Sequence, residues 1–231
     1  MRAFALIRHG DYQQKPDTPS AHQPYPLTEN GEQQARHCAA QLVSFAAELG
    51  LALAPTTHSS SLQRAWQTAT IIRRSLAINN AVLAQSDTEI IQTHALTERC
   101  VGSVANLTIA EIEQILAQDS RYAAAPKHWK SSADYCLPFP GAESLRQAGK
   151  RVAEYIKQVN SDAPDNTLTP IVGHGAAFRH ACCELGILST ADIQRLSMHH
   201  AQPVIIGNDN DSWVHLAGHW KTRDATRESI D

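Results

Sequence analysis

His9 ends the run Phe4-Ala5-Leu6-Ile7-Arg8 and is followed by Gly10; His174 ends Leu168-Thr169-Pro170-Ile171-Val172-Gly173 and is followed by Gly175. A short apolar run without alternation suits a strand covered on both faces, and in open α/β sheets chemistry gathers beyond the carboxyl ends of such strands. Two runs of this kind would bring two imidazoles over one sheet edge. Gly10 lets the chain turn sharply and approach a ligand, and the glycines flanking His174 point to a backbone bent to deliver it. A guanidinium beside an imidazole, as in Arg8-His9, suits an anion attacked by a nitrogen. Arg64 adds a second guanidinium. Ser59-Ser60-Ser61 reads as the cap of a helix, which puts Arg64 in its first turn, where a cation is unfavourable unless an anion is bound there.

The elements that must position these residues alternate between strand and helix. A polar, proline-marked loop runs from Asp11 to Pro26, long enough to be functional. Thr28 caps a helix to about Gly50, with Ala35, Cys38, Ala39, Leu42, Phe45, Ala46 and Leu49 at three-and-four spacing. Pro55 to His58 suggests a short strand. The next helix buries Ala65, Ala69, Ile72 and Leu76, and a third strand lies near Thr88 to Ile91. Thr108 and Glu111 form a capping box for a helix carrying Ile109, Ile112, Ile115 and Leu116. The chain from Ser120 to Gly141 is irregular, with Pro126, Pro138 and Pro140, and reads as an excursion over the top of the sheet. A helix near Glu143 buries Leu145, Ala148, Val152, Ile156 and Val159, and another follows His174 to about Leu185. The chain ends in a hairpin, Val204 to Gly207 and Trp213 to Leu216 about Asn-Asp-Asn, and a polar tail from about residue 218 expected to be mobile.

Composition narrows the function. A 231-residue chain with 42% hydrophobic and 19% charged residues is ordinary for one α/β domain. A net charge of −3 without basic blocks argues against nucleic acid as a partner. The apolar stretch before Arg8 is too short for a signal-peptide core and no run approaches a membrane span, which favours a cytoplasmic protein. Cys38, Cys100, Cys136, Cys182 and Cys183 are an odd number without paired metal-type spacing, and read as free thiols. His199-His200 would point apart on regular backbone, and His215 and His219 would share a face only on a helix, so no metal site is expected.

Five blocks, in order, resemble the histidine phosphatase superfamily, which includes phosphoglycerate mutases: Arg8-His9-Gly10, Ser60 to Ala69, Leu96-Thr97-Glu98, Gly141-Ala142-Glu143-Ser144-Leu145 and Val172-Gly173-His174-Gly175. The resemblance spans roughly residues 2 to 205. It implies an α/β fold, a three-layer sandwich with a mostly parallel central sheet flanked by helices. One domain over 1–231 is expected, with a lid at about 99–142. It also implies phosphoryl transfer through a phosphohistidine, needing no cofactor. His9 is then the nucleophile, Arg8, Arg64 and protonated His174 hold the phosphoryl group, and Glu98 supplies and recovers the leaving group's proton. Where the family often has a second glycine this chain has Asn106, so Glu89 is kept as an alternative acid. Glu143 matches a family block, yet an acidic residue in a helix's first turn explains it equally well.

The resemblance leaves three functions open: a phosphatase acting on a phosphorylated small molecule or phosphoprotein, a phosphomutase, or a catalytically silent phosphate-binding protein. Family mutases resemble one another in carrying adjacent arginines in the lid, whereas this lid offers scattered Arg121, Lys127, His128 and Lys130. That favours the phosphatase.

Overall fold

The computed structural model describes residues 1–79, 89–209 and 212–223. Its first half comprises β1 (Arg2–Arg8), α1 (Glu29–Glu48), β2 (Ala52–Leu53), β3 (Thr56–Ser60), α2 (Gln63–Asn79) and β4 (Glu89–Thr93). The segment 99–142, read from the sequence as a lid, carries α3 (Ile109–Gln118), and α4 (Leu145–Asp162), β5 (Thr167–Gly173) and α5 (Gly175–Glu184) follow. The chain closes with α6 (Thr190–Arg195), β6 (Leu196–Ser197), β7 (Val204–Asp209), β8 (Ser212–Ala217) and β9 (Lys221–Thr222).

The main sheet runs β4-β3-β5-β1-β7-β8, with β2 also paired to β5. Strands β1 to β5 are mutually parallel where they pair, and β7 and β8 add an antiparallel edge. Residues Ala3 to Ile7 are all fully buried, as an unalternating run requires. Phe4 and Leu6 enter the core under α4 and α5, while Ala3, Ala5 and Ile7 enter the core under α1 and α2. The three-layer α/β arrangement follows from these two apolar faces.

The helix signals resolve mostly as the residues indicate. Thr28 accepts from Gly31 N, and Thr108 with Glu111 makes the capping box of α3. Ser144 and Gln147 make a second box at the start of α4, so Glu143 lies outside that helix rather than in its first turn. Ser59 and Ser60 belong to β3 and do not cap α2; Ser60 Oγ instead accepts from Leu62 N at 3.2 Å. Arg64 nonetheless falls in the first turn of α2. Strand β4 begins at Glu89; Thr88, read as part of it, lies outside the described residues, as does Asn210 of the terminal turn. The polar tail is held at its start, because Lys221 and Thr222 pair with Ser197 and Leu196. Cys38 and Cys182 are buried at helical apolar positions, and all five cysteines are free.

The lid has a core of its own. Val101, Val104, Ile112, Leu116, Trp129 and Leu137 pack with Ala21 from the loop after β1. Asn106, where the family often has glycine, adopts a φ of 73°, a left-handed conformation that asparagine tolerates better than most residues. Among the described residues no helix is long and apolar enough to cross a membrane.

Candidate active site

Parallel strands β1, β3 and β5 end at the same edge of the sheet, and their carboxyl ends deliver Arg8 and His9, Ser60, and His174. Helix α2 projects Arg64 between the two histidines. His9, Arg64 and His174 are essentially inaccessible to solvent and Arg8 nearly so. The ring centroids of His9 and His174 lie 5.1 Å apart.

The hydrogen bonds fix the tautomers. His9 Nδ1 faces the carbonyl of Gly10 at 2.7 Å, and a carbonyl can only accept, so Nδ1 carries the proton. Nε2 of His9 then holds a lone pair, which accepts from Arg64 Nε at 3.2 Å. Arg64 Nη2 donates to Nδ1 of His174 at 3.3 Å, so the His174 proton sits on Nε2 and is donated to Ser60 Oγ at 2.9 Å. The remaining Arg64 donors reach the carbonyls of Gln23 at 2.9 Å and Ala21 at 2.8 Å. One guanidinium therefore ties the loop after β1 to both imidazoles.

Burial is the main cause that holds the His9 pKa well below its ordinary value, with Arg64, His174, Arg8 and His200 adding to it. His9 is neutral, as a nitrogen nucleophile must be. His174 is depressed in the same way, first by burial and then by Arg64. His174 is neutral in this arrangement, whereas the resemblance implies a protonated His174 when it holds a phosphoryl group.

Glu98 lies beside the first turn of α5. Its Oε1 accepts from Arg99 N at 2.9 Å and Ala177 N at 3.1 Å, and its Oε2 accepts from Ala176 N at 3.2 Å. Oε1 thus receives two N–H donors and Oε2 one, which leaves Oε2 the less occupied oxygen. Glu89, the alternative acid, is exposed and pairs with Thr56 at the opposite, amino end of the parallel strands, away from this edge. The geometry removes it from consideration.

Several contributors were not singled out from the sequence. Arg151 binds the carbonyls of His94, Ala95 and Thr97 at 3.0–3.2 Å and pairs with Glu143 at 2.6 Å. Glu143 in turn accepts from Cys100 N at 3.0 Å, so the pair clamps the segment that presents Glu98. Tyr12 stands edge-on to His9 at 5.1 Å, with the Arg64 guanidinium 4.6 Å over its ring. The His200 ring is 5.6 Å from that of His9, although the sequence brought His199-His200 forward only as a metal candidate. Ser60 could have been found, since it lies within a matched block, and Glu143 was named there but read as a residue of a helix's first turn, whereas it pairs with Arg151 outside that helix. The glycines act differently from expectation. A Cβ on Gly10 would stand 2.5 Å from Gly31 O and one on Gly175 would stand 3.1 Å from Arg8 Cδ, so they permit close packing rather than sharp bends.

Residues 4–220 match the histidine phosphatase superfamily (branch 1), and the chain belongs to that superfamily. It is similar to the 2,3-bisphosphoglycerate-dependent phosphoglycerate mutase of Parvibaculum lavamentivorans, 26% identical over 213 residues, covering 91% of this chain and 92% of that protein. The enzyme of the same description from Bartonella henselae is 27% identical, with 92% and 95% covered. Among solved structures, a putative alpha-ribazole-5'-P phosphatase from Escherichia coli superposes with a TM-score of 0.70 at 18% identity, covering 94% of this chain and 96% of that one. A mycobacterial glucosyl-3-phosphoglycerate phosphatase gives 0.64 at 20%, covering 96% and 98%. At these identities the structural likeness establishes the fold.

Proposed function

We propose that the protein is a phosphatase that hydrolyses phosphate monoesters of a small molecule or phosphoprotein through a phosphohistidine on His9, without a metal. The observation that carries this reading is the state of His9: neutral, with its Nε2 lone pair aimed at the one guanidinium that also reaches His174. A phosphate entering here draws the Arg64 N–H groups onto its oxygens and frees Nε2 to attack phosphorus. The P–O ester bond breaks, the departing alkoxide takes a proton from Glu98 Oε2, and Arg8, Arg64 and His174, which takes up a proton on Nδ1 as the phosphate's charge arrives, hold the non-bridging oxygens. Water then gives its proton back to Glu98 and its oxygen attacks phosphorus, breaking the N–P bond and releasing phosphate. We assign the enzyme to the cytoplasm, on the support of five unpaired cysteines.

The lid separates hydrolysis from mutation. A mutase must grip the rest of a small anionic substrate and exclude water. Here Arg121 is highly exposed and paired with Asp119, and Lys127 is exposed, which supports the phosphatase. The mutase remains the second reading because the similar curated enzymes carry that activity over nine-tenths of the chain. The two are compared directly with 3-phosphoglycerate and a catalytic trace of the 2,3-bisphosphate, following isomer and free phosphate together. Hydrolysis is expected to be the faster. Isomerisation that outruns hydrolysis on every ester tried, and is abolished by Lys127→Ala or Lys130→Ala, would overturn the phosphatase reading.

A further inference from the structure

A second cavity, of about 480 Å³, opens between α4 and the strands β3, β4 and β5. None of its lining residues belongs to the site described above. Its volume lies in the range of ordinary small-molecule sites. Residue alternation explains it: His58 and Ile91 face each other across β3 and β4, Thr169 lies on the α4 side of β5, and Tyr155 comes down from α4.

Two features mark this as more than a packing gap. Thr169 is 3% exposed, lines the cavity, and its hydroxyl has no hydrogen-bond partner among the described residues. A buried hydroxyl left unpaired is unfavourable, and a ligand's polar edge would offset that cost. Next to it, His58 Nδ1 and Tyr155 OH are joined at 2.9 Å with their rings edge to face, 5.8 Å between centroids. Burial lowers the His58 pKa, so that imidazole is neutral. Among the described residues the lining holds no lysine or arginine, and its one carboxylate, Asp162, is exposed. That is the wrong electrostatics for a phosphate ester or any other anion. Pro55, Pro164 and the Tyr155 ring supply flat apolar walls.

We propose that this cavity is a binding site for an uncharged planar heterocycle, whose ring lies against Pro55, Pro164 and Tyr155 and whose polar edge meets the Thr169 hydroxyl. The proposal stands on the cavity alone and is independent of the reaction catalysed. It is tested on the full chain by amide-resonance titration with adenine, benzimidazole and indole as probes and benzoate as the anionic control, in excess inorganic phosphate to fill the catalytic site. At least one uncharged probe should saturate with shifts centred on Gln92, Tyr155 and Thr169, while benzoate does not. Thr169→Val, nearly isosteric, should weaken it roughly 5- to 10-fold. Gln158→Trp, a change on the exposed side of α4 that leaves the core intact, should block it. No saturable shift with any probe, equal binding by both variants, or benzoate binding as tightly as the neutral rings would overturn the proposal. So would a change of oligomeric state in Gln158→Trp, measured by sedimentation without ligand, since the mouth would then be a contact between copies.

Discussion

Arg64 donates its Nε–H to Nε2 of His9 across 3.2 Å, so the guanidinium proposed to orient a phosphate also occupies the lone pair of the proposed nucleophile. The four acceptors around this guanidinium are two imidazole nitrogens and two loop carbonyls. Lysine cannot serve them, because it presents three donors from one point instead of a planar fork. We expect Arg64→Lys to lower turnover of an aryl phosphate by about 10²- to 10³-fold, the loss typical of one preorganised donor to a developing charge. Phosphate release measured beside a thermal melt checks this. Retention of more than a tenth of the activity in a folded variant would remove Arg64 from the phosphate pocket.

Glu98 has two separable tasks in this structure. It accepts three backbone N–H groups around the start of α5, and under the proposed function its Oε2 carries the proton for the leaving group. Glu98→Gln turns an amide NH₂ toward donors and also removes the acid. An alkyl phosphate depends on that acid, whereas an aryl leaving group departs with little help. The expected outcome is a loss at least about 10-fold larger on the alkyl ester than on the aryl ester, within the 10²- to 10⁴-fold range of general acid catalysis. Equal losses on both would leave Glu98 with the helix-capping role alone.

How far the sequence revealed this site depended on whether a feature is local. The run Ala3 to Ile7, the apolar stripe of α1 and the box at Thr108 and Glu111 are periodic or contiguous, and each appears where the residues place it. Ser59 and Ser60 misled because serine suits both a helix cap and a strand end, and only the pairing of His58 with Ile171 and Ser59 with Val172 decides it. Strand β2, two residues long, is too short to show alternation. His200 lies far from His9 in the chain, and no short-range pattern links them. Glycine roles were misread for the same reason. Gly10 is needed because a Cβ there would meet the Gly31 carbonyl on α1, a fact carried by another element of the chain.

The buried histidines also set how stability depends on pH. Burial lowers the pKa values of His9, His174, His58 and His22, and with help from Arg179 it pushes His180 down to about 4. The unfolded chain, with ordinary values near 6.5, therefore binds more protons than the folded one below that pH. Since stability rises with pH wherever the unfolded state holds more protons, the fold must weaken as pH falls from about 6.5. His180 alone accounts for about 3 kcal/mol between its ordinary pKa and its folded value. The carboxylates with lowered values, Glu111, Asp119, Asp134 and Asp192, start from ordinary values of 3.8 to 4.5 and so act only at the acid end of this range and below. Urea unfolding at pH 7.5, 6.5, 5.5 and 4.5 should show a steady fall below about 6.5, shallower in His180→Asn by close to one proton's slope. The proposed nucleophile stays neutral over much of that range, so the acid limb of turnover should lie below 6.5 as well. Equal stability at pH 7.5 and 5.5 would mean that these imidazoles protonate without unfolding, and that the pocket around His9 is wetter than the structure describes.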